Sequence, residues 1–252
     1  RRDDMDVRVA SLNALGMVEL PWTRTLLAPS PMASREGLVK QLLEMYTKGA
    51  EEALMSHLPV TIARILHGAP TALRTAVMAT LLDSWDPKLD RYEAAGLVLA
   101  YGECEANWES EIGQRVTSLL IETASQGEAT FPRRLALISL GKLAARVTVT
   151  GSPDRSAMAT LEPFLIKMQK LGRSADRPWI GLAAAVYNAG IVKHNALPGD
   201  GLLAMLRLLV EDSESVDTAS TAAFAIGLAE DHASGPFLTR QLEKASSASL
   251  RG

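Results

Sequence analysis

The chain has 252 residues and a formal net charge of −3, with 47% hydrophobic and 22% charged residues, which excludes wholesale disorder and allows a sizeable buried core. Aromatic residues make up only 5%, thin for a β-sandwich or barrel, while Ala and Leu dominate and favour helices. Cys104 is the lone cysteine, so an intrachain disulfide and a cysteine-rich zinc site are both excluded, and compartment stays open. No apolar run reaches the roughly 18 residues that span a bilayer.

The chain opens Arg1-Arg2-Asp3-Asp4, with no initiator Met and no apolar leader, and already reads as a helix start. That suggests a processed chain or a module of a longer one. Asp6–Gly16 (DVRVASLNALG) predicts the first helix. Because no polar capping helix precedes it, its apolar side is expected to be exposed, or covered by another copy or by the Leu20–Ser34 loop, which carries Pro21, Pro29 and Pro31. Next come amphipathic helices over Gly37–Lys48 and Thr71–Ser84, around a shorter stretch, Leu58–Gly68, interrupted by Pro59. Tyr92–Gly102 (YEAAGLVLAYG), Glu111–Ser125 and Phe131–Gly141 (FPRRLALISLG) follow. Thr148–Asp154, with Gly151 and Pro153, is a loop.

Ser156–Leu171 has the clearest period: Met158, Leu161, Leu165, Met168 and Leu171 fall on one side, and Arg155, Glu162, Lys170 and Arg173 on the other. Pro163 within it predicts a kink or a helix start. Trp179–Val192 and Thr218–Glu230 have small apolar residues almost all round, as a helix flanked on several sides would. Gly201–Glu211 and Pro236–Ala245 complete the helices, and Ser246–Gly252 reads as a frayed tail to a single domain over 1–245. Asp176, Asp200, Ser215 and Ser234 are candidate N-caps.

Five of these segments share one design, an Ala- and Leu-rich stretch closing on Gly16, Gly102, Gly141, Gly190 and Gly227, and a sixth, weaker copy closes on Gly68. Their mean spacing is about 42 residues, inside the range of two-helix repeats. Ala95, Ala136, Ala184 and Ala223 are then expected at crossings between successive repeats, where only small side chains fit.

Leu203–Asp231 (LAMLRLLVEDSESVDTASTAAFAIGLAED) resembles the Leu-rich helix, Asp-containing turn, then Ala-Ala-x-x-Leu-Gly helix of HEAT-like repeats. Leu81–Glu103 and Asp6–Gly16 resemble it too, and about six degenerate units cover nearly the whole chain. The Val-Arg pair of such repeats survives only as Val7-Arg8, with Arg133 a looser match. The resemblance implies an all-α, right-handed α-solenoid of about six antiparallel helix pairs, an armadillo-like array whose concave side holds a partner. The function it implies is a non-catalytic protein–protein interaction scaffold. An irregular bundle of α-hairpins is the structural competitor. HEAT-like bilin lyases and alkylpurine DNA glycosylases offer the alternative, an enzyme or an enzyme partner on the same repeats.

The residues that carry chemistry favour the scaffold. HEAT-like deoxyhypusine hydroxylases use repeated His-Glu pairs for iron, and no His-Glu dipeptide occurs here; His57, His67, His194 and His232 are scattered. Cys104 lies between Glu103 and Glu105, whose charges would raise its pKa, the wrong direction for a nucleophile. Trp85, Asp86 and Arg91, with Trp108, resemble the Trp/Asp/Arg set of the glycosylases, but a Trp-Asp pair in a turn is common, and Trp85 reads as a plug between repeats. No phosphate loop, nucleophile elbow or paired zinc motif is present. No catalytic residue, cofactor or metal is therefore expected.

Charge has the strongest local contrast. Residues 90–130 carry net −6, residues 131–195 net +7 and residues 196–231 net −6. The basic block is Arg133, Arg134, Lys142, Arg146, Arg155, Lys167, Lys170, Arg173, Arg177 and Lys193. Either it is a solvated face paired with the acidic repeats alongside, or it docks an acidic partner: a protein segment first, a phosphate-rich polymer second. Overall acidity disfavours nucleic acid.

Overall fold

A computed structural model describes residues 2–22, 34–105, 109–146, 155–212 and 215–249, and every regular element among them is helical. None of these helices is long and apolar enough to cross a membrane. The chain divides into two compact units, Arg1–Ser139 and Leu140–Gly252. The first holds α1 (Arg2–Leu15), α2 (Arg35–Thr47), a single turn α3 (Glu52–Met55), α4 (Leu58–Ile65), α5 (Thr71–Asp83), α6 (Arg91–Gly102), α7 (Glu111–Gln126) and the start of α8 (Thr130–Ala144). The second holds the end of α8, then α9 (Arg155–Leu171), α10 (Arg177–Val192), α11 (Asp200–Asp212), α12 (Val216–Leu228) and α13 (Gly235–Ser249), with 3₁₀ turns at Ser174–Asp176 and His232–Ser234.

The helix ends follow local chemistry. Ser34, Asp90, Ser110 and Ser215 accept hydrogen bonds from the backbone N–H groups of Gly37, Tyr92, Gly113 and Thr218, satisfying donors that a helix start leaves open. The other three expected caps differ. Asp200 is the first residue of α11, Asp176 precedes α10 without a side-chain cap bond, and Ser234 ends a 3₁₀ turn. Pro59 sits in the first turn of α4, where its missing N–H costs nothing, whereas Pro163 lies inside α9, at an exposed position. The last helix, α13, runs to Ser249, and the end of the expected tail lies outside the described residues.

The Ala-rich segments become α1, α4, α6, α8, α10 and α12, and these pack on one another within each unit. In the first unit α4 lies against α1, α2 and α6. A Cβ on Gly96 of α6 would overlap the Ser56 carbonyl, and one on Gly102 would stand 2.9 Å from Ser139 Cα of α8. In the second unit α10 lies against α12, and α11 packs on both α9 and α12. There a Cβ on Gly141 would overlap the Ala183 carbonyl, and one on Gly181 would come 2.9 Å from Thr221 Cβ. Asn188, fully buried on α10, donates from Nδ2 to the Ala225 carbonyl of α12 at 2.8 Å.

Alanines fill the remaining crossings, with one correction. Ala95, Ala136 and Ala184 are buried as expected, but Ala223 is only half-buried; Ala222 and Ala225 are the α12 residues in the core. Turned by one residue from its expected setting, α12 leaves Val216 and Phe224 exposed, Phe224 at 58%. At the other end of the chain α1 is partly covered. Leu12 is buried and its carbonyl accepts from Thr61 Oγ1, whereas Val7 is 62% exposed. Of the Leu20–Ser34 loop, residues 20–22 and Ser34 are described, and the Trp22 ring lies under the Arg35 guanidinium, 5.1 Å from it.

Replacing Gly141 by Ala should destabilise the protein by roughly 1–3 kcal/mol, because the added methyl meets backbone rather than a side chain that could move. Gly227 should respond in the opposite sense. Nothing lies within 4 Å of its would-be Cβ and it sits in α12, so Gly227→Ala should stabilise by about 0.4–1 kcal/mol. Thermal melts of the two variants beside the parent check both signs.

Candidate interaction surface

The structure distributes the basic block unevenly. Arg133 and Arg134 belong to the first unit. Arg133 is only 3% exposed, and its Nη1 donates to the Gly127 carbonyl at 3.1 Å, so it ties down the turn before α8 instead of meeting a partner. Arg134 is half-buried, as are Lys142 and Arg146 at the end of α8 and Arg177 at the start of α10. Arg177 Nε is buried with no hydrogen-bond partner among the described residues. The side chain of Arg155 lies outside the described residues. Lys193 is exposed at the C-cap of α10.

That leaves the C-terminal end of α9. Lys167 and Lys170 are three residues apart on one exposed face of the helix, and Arg173 is exposed just beyond its end. The buried stripe of α9 is Leu161, Leu165 and Met168. Leu171, expected to extend that stripe, is instead 76% exposed. It is the last residue of the helix; the Gly172 N–H closes back on the Met168 carbonyl at 2.8 Å, and the chain then turns away. The exposed end of α9 is thus an apolar knob among three cations.

Glu162, the acidic residue on the same helix, is engaged elsewhere. Glu162 Oε1 accepts from Tyr187 Oη at 2.9 Å and from the Gly199 N–H at 3.0 Å, so this carboxylate joins α9 to α10 and to the turn before α11. Burial, with the Glu162 charge beside it, pushes the Tyr187 phenol far up and keeps it a neutral donor. Asp176 is buried, 1% exposed.

Several cations elsewhere are engaged. Arg207 of α11 reaches Asp231 at 2.7 Å and Ser234 Oγ at 2.8 Å, and Ser234 Oγ donates to the same carboxylate. The Ser234 hydroxyl, then the Ala233 N–H and Arg207, hold the Asp231 carboxyl below its ordinary range. In the first unit Arg8 pairs with Glu51, Arg115 with Asp83, and Arg74 with Glu105. Glu105 also accepts from the Gly68 N–H at 2.8 Å.

His67 stands between two carboxylates, with Nε2 3.4 Å from Glu103 and Nδ1 3.8 Å from Glu105. Sequence spacing gave no sign of this, because the partners lie 36 and 38 positions away, on the far side of another helix pair. No group of three or more His, Cys, Asp or Glu among the described residues is arranged to hold a metal ion. Cys104 is buried.

The residues that resemble the glycosylase set do not converge. Asp86 caps its own turn through the Lys88 N–H, Arg91 stacks 4.6 Å over the Tyr92 ring, and Trp108 lies outside the described residues. Trp85 is half-buried with its ring 6.3 Å from that of Tyr101, at the turn between α5 and α6. Tyr101 and Tyr46 are the buried phenols of this region; burial, then the charge of Glu93, pushes Tyr46 up to about 12. Comparison with protein-family models, with curated proteins and with solved structures returns no match to this chain.

The Asp231 cluster predicts an acid-sensitive link. A carboxyl held low in the folded state contributes stability that is present above its unfolded pKa of about 3.9 and is lost as pH falls through the lower folded value. Asp231→Asn should therefore lower stability at neutral pH by about 1–3 kcal/mol, and the deficit should shrink below about pH 4. Urea melts of parent and variant between neutral and acid pH measure both.

Proposed function

We propose that this chain is a HEAT-like helical-repeat scaffold that binds another protein and carries out no chemistry of its own. The observation that supports it most is the repeated crossing of Ala-rich helices. α4 lies on α6 in the first unit and α10 on α12 in the second, and glycines admit backbone at the crossings. Between them lie the amphipathic helices α5, α7, α9 and α11, whose polar faces are left to solvent. Such an array is stabilised by nearest-neighbour contacts, so its outward surface is free to be shaped for a partner. The reading extends the local crossings to a single right-handed array of about six pairs.

Two measurements test it. Small-angle scattering of the monomer should give a radius of gyration well above the roughly 18 Å of a compact domain of this length. In-cell crosslinking followed by purification of the full chain should join a protein partner to residues on the solvent-facing helices. A compact radius would sink the array, and a chain recovered without any crosslinked protein would sink the scaffold.

A further inference from the structure

Resting on that scaffold reading, we propose that the exposed end of α9, formed by Lys167, Lys170, Leu171 and Arg173, docks an acidic segment of a partner protein that carries an apolar residue among its carboxylates. The first ground is the state of these cations compared with others in the chain. Arg8, Arg74, Arg115 and Arg207 are held by carboxylates, and Lys40 and Lys48 pair with Glu36 and Glu44 one turn back on α2. Lys167, Lys170 and Arg173 are exposed and make no ion pair among the described residues. Glu162, on the same helix, is committed to Tyr187 and Gly199. Among the described residues no direct ion pair therefore cancels the charge of these three side chains, and their field would draw an acidic segment in.

A helix C-terminus favours cations by itself, at about 0.3–1 kcal/mol each, and that suffices to place Lys170 there. It does not account for Leu171. A single exposed leucine is ordinary, but this one lies four residues from Lys167, next to Lys170 and two before Arg173, and it is 76% exposed. An apolar centre inside a charged rim is the anatomy of a small protein interface. The same leucine favours a protein over a nucleic acid. Single strands are held by aromatic stacking and by a groove of cations that tracks many phosphates, and this site offers one aliphatic side chain and three charges.

The test is a selection of displayed random peptides on the full chain without counter-selection, followed by binding of the enriched peptides to the reversed variant Lys167→Glu/Lys170→Glu/Arg173→Glu. Enriched peptides should be rich in Asp and Glu around one Leu, Ile or Phe. Fluorescence anisotropy of the synthesised peptides should show at least about a tenfold loss with the reversed variant, and again with Leu171→Ser. Affinity should fall as added salt shortens the Debye length below about 8 Å. All these side chains are exposed, so circular dichroism melts of the variants should match the parent. Peptides that bind parent and reversed variant equally would overturn this site while leaving the scaffold reading standing. No enrichment at all would count against both. An oligo-uridine RNA that binds more tightly than the best peptide would also overturn the proposal, placing a phosphate polymer where we place a protein.

Discussion

Close approach of helix backbones is the constraint on which the structure depends. Two helices meet at backbone distance only where neither has a side chain in the way. Gly96, Gly102, Gly141 and Gly181 mark those places, for a methyl on any of them would collide with backbone or side-chain atoms of a neighbouring helix or turn. The flanking alanines, such as Ala136, Ala184, Ala222 and Ala225, are fully buried for the same reason. A glycine within a helix costs roughly 1 kcal/mol relative to alanine. Close packing offsets that, because backbone contact brings whole rows of small residues into van der Waals range. It also lets polar groups cross between helices, as Asn188 does to the Ala225 carbonyl.

This constraint is why the helices were legible. A helix enclosed by neighbours must be small and apolar on several sides, and one at the surface needs a single stripe, so composition separates the two kinds before any contact is known. The Ala-rich segments became α1, α4, α6, α8, α10 and α12, and the striped segments became α2, α5, α7, α9, α11 and α13. Orientation within a segment was less legible. On α12 the alternatives Ala222 and Ala223 are chemically identical, so composition cannot decide which one faces α10, and a rotation of one residue moves Phe224 from core to solvent. Leu171 failed for a different reason. Periodicity describes a helix of indefinite length, and the last residue of a real one can project beyond the neighbours that cover the rest.

Charge was legible as an inventory and not as a surface. Net charge along the chain located the basic block, yet burial and pairing depend on what the fold brings alongside. Arg133 went inward to carbonyls at the turn before α8, and Glu162 became a tie between helices. The contacts that decide such fates join residues tens of positions apart: Glu162 with Gly199, Arg207 with Asp231, His67 with Glu103. No period or spacing rule reaches that far, so the candidate surface shrank from ten sequence positions to a few at the end of one helix.

Stability and the proposed recognition therefore draw on different residues. The glycines and alanines of the crossings tolerate little change, because each is fixed by atoms a few ångströms away. The polar sides of the striped helices face solvent, and a surface charge there alters stability by only a few tenths of a kcal/mol, to about 1 kcal/mol when paired. A cation on α9 can be kept unpaired at almost no cost to the fold. Removing the Asn188 amide, by contrast, would break a buried hydrogen bond between α10 and α12 and cost about 1 kcal/mol. A fold built this way leaves its outer helices free to acquire a charge pattern suited to a partner while the crossings beneath them stay fixed.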